Sequence, residues 1–182
     1  FLARHMDDFE PPLTLRQFRG GQSNPTYLLS TPSRRYVLRR KPSGHLLPSA
    51  HAIEREFAVM RALEGTAVPV PRMRVLCEDA SIIGTPFFVM SYVEGRPIAD
   101  PALPDRTPAD RRAIYASMGA ALAAIHGVDW RARGLADFGR PGAFVERQVQ
   151  RWTRQYRSSE TETIGAMDHL IAWLPDHIPP DD

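Results

Sequence analysis

The sequence is poor in several features on which common protein functions depend. It contains one cysteine, Cys77, so no disulfide can form within the chain, and its place in the apolar run VLC indicates a small buried thiol rather than a metal ligand or a nucleophile. It has no run of 18 apolar residues, and its N-terminus has acidic residues where a signal peptide would be apolar. Membrane spanning and export are therefore unsupported, and we expect a cytoplasmic protein.

The sequence also has no large excess of one sign of charge, and lysine and asparagine are scarce. The 23 basic and 21 acidic residues leave a net charge of +2 with no long run of like charges, which argues against nucleic-acid binding as the leading function. Lys41 is the only lysine and Asn24 the only asparagine. This bias towards arginine makes an Arg at a position where Lys is usual only weak evidence of lost function. The start at Phe1 and the ending PPDD indicate a fragment of a longer protein.

The first half of the chain has the pattern of short strands around one helix. Five apolar-rich segments have strand length: 13–18, 26–30, 35–39, 72–77 and 87–93. Tight connections between the first three predict an antiparallel meander. Residues 49–64 are predicted to form a helix with Ser49 as N-cap and Gly65 just past its end. A five-stranded sheet crossed by one helix is the simplest arrangement of these elements.

Beyond Gly95 the pattern becomes helical. Thr107, Pro108 and Asp110 mark a helix start and Gly127 its end. Apolar residues recur at helical spacing in this segment and in two later ones, 141–156 and 162–174. The three apolar faces are Ile114, Met118, Ala121, Leu122 and Ile125; Val145, Val149, Trp152 and Tyr156; and Ile164, Met167, Ile171 and Leu174. Strands followed by helices predict an α+β protein of two lobes, with the boundary near residues 94–106.

A carboxylate interrupts the apolar face of the first predicted helix. Glu56 falls in the middle of the arc that is formed by Ala52, Val59, Leu63, Met60, Ile53 and Phe57. A charge there costs several kcal/mol unless a cation reaches it. Val37, Arg39 and Lys41 share one side of the preceding strand, and either Arg39 or Lys41 can supply that cation. A core ion pair or an open helix flank without a function is the alternative interpretation.

The loop GGQSN, between the first two strands, has two interpretations. It is a hairpin turn, or its glycines allow the backbone to fold closely over a phosphate. The loop alone does not separate the two.

Taken in order, these segments resemble the aminoglycoside phosphotransferase-like family, which has a protein-kinase-like fold. The segments that carry the resemblance are FRGGQSNPTYLL, YVLRRKP, EREFAVMRAL, VPVPRM, FFVMSYVEGRPI and LAAIH. They are most similar to the branch found in bacteria and fused to acyl-CoA dehydrogenases in some larger proteins. The resemblance covers nearly the whole chain. It implies that residues 1–94 form a nucleotide-binding lobe, and residues 95–182 the hinge and the first helices of a mainly helical C-terminal lobe.

The resemblance implies a kinase that transfers the γ-phosphoryl of ATP or GTP, with Mg²⁺, to a hydroxyl of a small molecule. Hydroxyacyl-CoA compounds fit this branch at least as well as aminoglycosides. Arg39 would contact the phosphates, with Lys41 as the alternative, and Glu56 would fix that cation. Residues 20–24 would cover the nucleotide, Met90 would lie behind the adenine, and residues 91–93 would offer backbone groups. The implied nucleotide-binding residues are Gly20, Gly21, Gln22, Ser23, Asn24, Val37, Arg39, Lys41, Glu56, Met90, Ser91, Tyr92 and Val93.

No catalytic residue or metal ligand is assigned within the chain. HGVD (126–129) and DFG (137–139) look like a kinase catalytic loop and a metal-binding Asp, but the loop requires an Asn where position 134 is Gly. In the resembling family those parts would follow residue 182, so we expect the 182 residues alone to be inactive. The alternatives are a pseudokinase-like module that binds a nucleotide or a partner without turnover, and an unrelated α+β binding domain.

Overall fold

The sheet has the five strands that the sequence predicts. The computed structural model describes residues 1–18, 24–44, 51–139 and 142–179. The strands of this part of the chain are β1 (Thr14–Gln17), β2 (Thr26–Ser30), β3 (Arg35–Arg40), β4 (Met73–Cys77) and β5 (Phe87–Ser91). They form one antiparallel sheet in the order β1-β2-β3-β5-β4, and their bounds differ from the predicted ones by no more than two residues. The predicted meander is the β1-β2-β3 half of this sheet.

The N-terminal segment covers one face of the sheet. After a short helix, α1 (Leu2–His5), Met6 is buried in a core cluster of side chains from β2, β3, β4 and β5. The other buried members of that cluster are Leu29, Tyr36, Leu38, Cys77, Phe87 and Val89. Cys77 is only 3% exposed, which confirms that it is a buried thiol. The hydrophobic area removed from water here holds the segment on the sheet.

Polar contacts through Asp8 add to that packing. Its carboxylate forms ion pairs with Arg74 and, at 3.4 Å, with Arg34, while its backbone carbonyl accepts a hydrogen bond of 2.8 Å from the Tyr36 hydroxyl. Burial by itself raises the pKa of Asp8, but the hydrogen bond and charge of Arg74 and the charge of Arg34 hold it below its ordinary value. The contacts that attach the N-terminal segment at Asp8 therefore weaken when its carboxylate is protonated at low pH.

The opposite face of the sheet carries the helix α2 (Ile53–Leu63). Ile53 is fully buried, and the ring of Phe57 packs against that of Phe88 with centroids 5.9 Å apart. Met73 and Phe88 are the buried sheet residues of this second cluster. Among the α2 residues only Ile53 is fully buried, so the apolar arc that the sequence predicts is half-covered rather than enclosed.

The start of α2 differs from the prediction. The sequence places the N-cap at Ser49, which lies outside the described residues, but the helix begins at Ile53, with Ala52 as N-cap. His51 has a φ of 58°, in the left-handed region, so a right-handed helix cannot continue backwards through it. The end is as predicted: Gly65 follows the helix with a φ of 73°, the usual left-handed glycine after a C-terminus.

The chain divides into two compact units, Phe1–Leu135 and Ala136–Asp182. The first unit includes the sheet, α2 and a long helix, α3 (Pro108–His126). Thr107 and Asp110 form the N-terminal capping box of α3, and Gly127 is its C-cap, as the sequence predicts. Its apolar residues Met118, Leu122 and Ile125 are about half-exposed. The predicted lobe boundary at residue 94 stays a prediction.

The second unit contains the helices α4 (Phe144–Ser159) and α5 (Gly165–Trp173), followed by a short 3-10 turn. Their predicted apolar faces line a common groove, with the exception of Ile164, which is exposed. Arg157, near the end of α4, pairs with Asp168 in α5 at 2.6 Å and with Glu160 at 3.0 Å. The helix that the sequence predicts at 141–156 begins and ends three residues later. Within the described part of the chain, no helix is long and apolar enough to cross a membrane.

The Asp8 contacts predict a specific pH dependence of stability. Because the pKa of Asp8 is lower in the folded state than in the unfolded state, its contribution is present above the unfolded pKa of about 4 and is lost as the pH falls through the folded pKa. Asp8→Asn should therefore destabilise the chain at pH 7 and flatten the decrease in unfolding free energy between about pH 5 and pH 3. Urea unfolding across that range measures it.

The matched control is Asp7→Asn, at the exposed neighbouring position. This variant should keep the pH dependence of the wild-type chain. Equal pH profiles for Asp8→Asn and the wild type would contradict the prediction.

Candidate nucleotide site

The predicted ion pair of Glu56 is present, and its partner is Arg39. Oε2 of Glu56 lies 2.8 Å from Nε of Arg39. The N–H of that nitrogen is not aligned for a hydrogen bond, so the contact is an ion pair. Arg39 lies opposite Phe88 in the ladder between β3 and β5, on the sheet face that α2 covers. The pairing follows from the packing of α2 on that face.

The pair is only partly shielded from water. The side chains of Arg39 and Glu56 are 31% and 36% exposed, so Glu56 is not the enclosed carboxylate that the predicted apolar arc implies. A pair with about a third of each side chain exposed avoids part of the desolvation cost of a buried one, and a ligand can reach its exposed part. The ion pair alone therefore contributes modestly to stability.

The second oxygen of Glu56 has a partner that the sequence did not indicate. Asn24 donates a hydrogen bond from Nδ2 to Oε1 of Glu56 at 2.9 Å, and Oδ1 of Asn24 lies 3.0 Å from Nδ1 of His51. Asn24 is 7% exposed. The prediction places Asn24 in a loop over the nucleotide, whereas the structure places its side chain against α2. The signals available in the sequence were that Asn24 is the only asparagine and that a histidine, His51, lies two residues before the first residue of the observed helix.

Lys41, the alternative partner for Glu56, pairs with a different residue. Its Nζ lies 3.0 Å from Oε2 of Glu54, two residues before Glu56 in α2. Burial alone would raise the pKa of Glu54, but its backbone hydrogen bond and the Lys41 ammonium hold it below its ordinary value. Two ion pairs therefore join β3 and its continuation to the first turn of α2.

An apolar pocket of about 640 Å³ lies beside the ion pair on the same sheet face. Val37 and Met90 are direct neighbours across β3 and β5, and Val37 is two residues, or about 7 Å, from Arg39 along the strand. The lining residues are Phe18, Val37, Pro69, Val70, Pro71, Met90, Ser91, Tyr92, Val93, Gly95 and Pro97. The implied base-binding residues Val37 and Met90 to Val93 therefore line a single pocket.

Backbone groups at the pocket edge are not equally available. The N–H of Ser91 donates to the carbonyl of Arg72 at 2.8 Å, and the Ser91 hydroxyl accepts from the N–H of Arg72 at 2.9 Å. The N–H of Ser91 therefore has a protein partner already. Tyr92 and Val93 follow the end of β5, and the Tyr92 ring lies 4.5 Å from the Arg35 guanidinium.

Four of the implied nucleotide-binding residues have no described position. Gly20, Gly21, Gln22 and Ser23 lie outside the described residues. Within the described ranges no three His, Cys, Asp or Glu side chains come together to hold a metal ion. Asp129 of HGVD accepts a hydrogen bond of 3.0 Å from the backbone N–H of Ala132, which is an ordinary turn contact.

These features define the class of the fold. A five-stranded antiparallel sheet packs against a helix whose glutamate pairs with a basic residue of the third strand, and this is the small lobe of the protein-kinase-like fold. Residues 14–182 match the family described as "Phosphotransferase enzyme family". The chain belongs to that family.

Similar proteins extend this assignment. A crystal structure from Ralstonia eutropha JMP134, provisionally named an aminoglycoside phosphotransferase, is 51% identical with a TM-score of 0.85, and the match covers 100% of this chain and 52% of that one. Mouse acyl-CoA dehydrogenase family member 10 is 55% identical over 168 residues, 92% of this chain and 16% of that protein. Rat acyl-CoA dehydrogenase family member 11 is 45% identical over 186 residues, 100% of this chain and 24% of that protein. The chain thus spans a quarter or less of these two relatives.

The contacts of Glu56 predict that it contributes more to stability than Glu54. Glu56→Ala removes the acceptor of the buried Asn24 amide as well as the Arg39 ion pair, and it should cost about 1–3 kcal/mol. Glu54→Ala removes a partly exposed ion pair and should cost about 0–1 kcal/mol. Urea unfolding of the two variants compares them at equal loss of charge, and equal costs would show that the Asn24 contact carries no weight.

Proposed function

We propose that the chain is the nucleotide-binding lobe, with the first helices of the following lobe, of a small-molecule kinase. The reaction is transfer of the γ-phosphoryl group of ATP or GTP to a hydroxyl of a small molecule. The observation that carries the proposal is the Arg39–Glu56 ion pair beside the pocket that Val37 and Met90 line. Triphosphate binding requires a fixed cation, and adenine or guanine binding requires an apolar slot next to it.

Arginine at position 39 is compatible with phosphate binding. Arg39 contacts Glu56 through Nε, and a guanidinium has its other N–H donors on the two terminal nitrogens. A lysine would have to share one ammonium nitrogen between the carboxylate and a phosphate, whereas an arginine can bind the two with different guanidinium nitrogens. In this proposal Arg39 holds the phosphates, Glu56 holds Arg39, and Gly20 to Ser23 cover the nucleotide. Asn24 holds Glu56 by its hydrogen bond to Oε1.

The acceptor is proposed from the relatives. Two of them carry names of the acyl-CoA dehydrogenase family, so a hydroxyacyl-CoA is our first choice and an aminoglycoside the second. Mg²⁺ would accompany the nucleotide and shield the charge that develops on the phosphoryl group. We assign it no ligand among the described residues. A cytoplasmic location, where nucleoside triphosphates are supplied, is part of the proposal.

Nucleotide binding by Arg39 predicts a charge-specific loss of affinity. Arg39→Gln should weaken the binding of Mg²⁺–ATP or Mg²⁺–GTP about 10- to 100-fold, because a hydrogen bond to a charged group contributes about 1.5–3 kcal/mol. Isothermal titration calorimetry measures it.

Arg40→Gln is the matched control. It makes the same charge change one residue further along β3, but Arg40 lies opposite Phe87 on the other face of the sheet and bonds to Ser43 at 3.2 Å. This variant should bind within about twofold of the wild type, since its side chain is far from the proposed phosphates. Equal losses in both variants would indicate nonspecific electrostatics, and no binding by the wild-type chain would overturn the proposal.

We further predict that the 182 residues alone transfer no phosphoryl group. A kinase-type reaction needs an Asn to hold a metal ion, and the only asparagine has its amide engaged by Glu56 and His51. The measurement is nucleotide hydrolysis, and transfer to hydroxyacyl-CoA and aminoglycoside acceptors, by the chain alone and by a longer protein that contains it.

Turnover by the chain alone would mean that HGVD or DFG is catalytic after all. Nucleotide binding without turnover by the longer protein would favour a pseudokinase-like module instead.

A further inference from the structure

His51 begins a continuous series of side-chain contacts that ends at Arg39. Nδ1 of His51 lies 3.0 Å from Oδ1 of Asn24, Nδ2 of Asn24 donates to Oε1 of Glu56 at 2.9 Å, and Oε2 of Glu56 lies 2.8 Å from Nε of Arg39. The four residues come from the turn before β2, from β3, and from the start of α2. In the function proposed above, Arg39 and Glu56 act through their charges, and His51 has no role.

The direction of each hydrogen bond follows from the chemistry of the groups. A carboxylate only accepts, so the NH₂ group of Asn24 faces Glu56 and the amide carbonyl faces His51. That carbonyl also only accepts, so Nδ1 of His51 carries the hydrogen and donates it. Asn24 is 7% exposed, which leaves its amide with little access to water. Both ends of the amide therefore depend on protein partners.

The backbone of His51 is held in a conformation that most residues avoid. Its φ of 58° is left-handed, and its carbonyl accepts a hydrogen bond of 2.9 Å from the N–H of Ile53. Glycine would adopt this φ without steric cost, so the backbone conformation alone favours glycine over histidine at position 51. Strained positions that persist are often tied to function, and here the side chain is the part that reaches Asn24.

We propose that His51 is a positioning residue for the phosphate-binding cation. By donating to Asn24 it orients the amide, the amide holds Glu56, and Glu56 holds Arg39 in place before a nucleotide arrives. The inference rests on the proposed function, because an ordered Arg39 matters only if it meets phosphates. Loss of the His51 donor allows the amide to turn, so Arg39 must be ordered when the nucleotide binds, and affinity falls.

The first test needs no nucleotide. Asn24 is the only asparagine, so selective ¹⁵N labelling of asparagine side-chain amides gives one pair of NMR signals. We expect slow hydrogen exchange of that amide in the wild-type chain. We also expect its signals to shift in His51→Ala and Glu56→Gln and to stay in place in Arg40→Gln. Exchange as fast as that of an exposed amide, or signals that His51→Ala leaves unchanged, would overturn the inference.

The second test separates the side chain of His51 from its backbone. We expect His51→Ala and His51→Gly to weaken Mg²⁺–ATP binding about tenfold, the size of one lost hydrogen bond. His51→Asn should stay within about threefold of the wild type, because Asn tolerates a left-handed φ and its Nδ2 is as many bonds from the backbone as Nδ1 of histidine. Urea unfolding of each variant establishes that it is folded. Wild-type affinity in His51→Gly would leave His51 with only a backbone role and overturn the inference.

The third test asks whether His51 acts through Arg39. With Arg39→Gln already present, His51→Ala should cost less than about twofold in affinity, because the cation that it positions is gone. A full tenfold cost in that background would show a different route and contradict the inference. If the wild-type chain binds no nucleotide, the proposed function fails. If it binds and His51→Ala binds equally well, only the present inference fails.

Discussion

The carboxylate of Glu56 is the point on which the arrangement of the site depends. It lies on the helix face that packs against the sheet, where a charge without partners would be costly, and both of its oxygens are engaged, one by Arg39 and one by Asn24. These partners come from segments that are 17 and 32 residues away along the chain. One side chain thus joins the turn before β2, the end of β3 and α2.

The rest of the first unit holds these segments in register. Phe88 and Met73 pack under Ile53 and set the height of α2 above the sheet. On the other face, Met6 and the Asp8 contacts fasten the N-terminal segment across β2 to β5. Because Val37 and Arg39 are two residues apart on β3, the distance between Arg39 and the pocket around Val37 and Met90 is set by strand geometry.

The partial exposure of the ion pair fits the proposed role. A fully buried pair would be expensive to form and closed to a ligand, and a fully exposed pair would be loosely held and screened by salt. Arg39 and Glu56 lie between these limits, with about a third of each side chain exposed. Support from Asn24 and His51 then supplies order that the Coulomb attraction alone does not.

Periodicity and end signals in the sequence determined the five strands, the four helices α2 to α5 and the placement of Val37, Arg39 and Lys41 on one face, because these depend on local backbone geometry. The position of Glu56 in an apolar arc also predicted that a cation must reach it. Tertiary structure decided which cation this is: Arg39 faces Glu56, while Lys41 faces Glu54. The late start of α2 also accompanies a tertiary contact: His51 has a left-handed φ just before the helix, and its side chain contacts Asn24, 27 residues away. Such contacts depend on how distant segments pack, and no local pattern in the sequence records them.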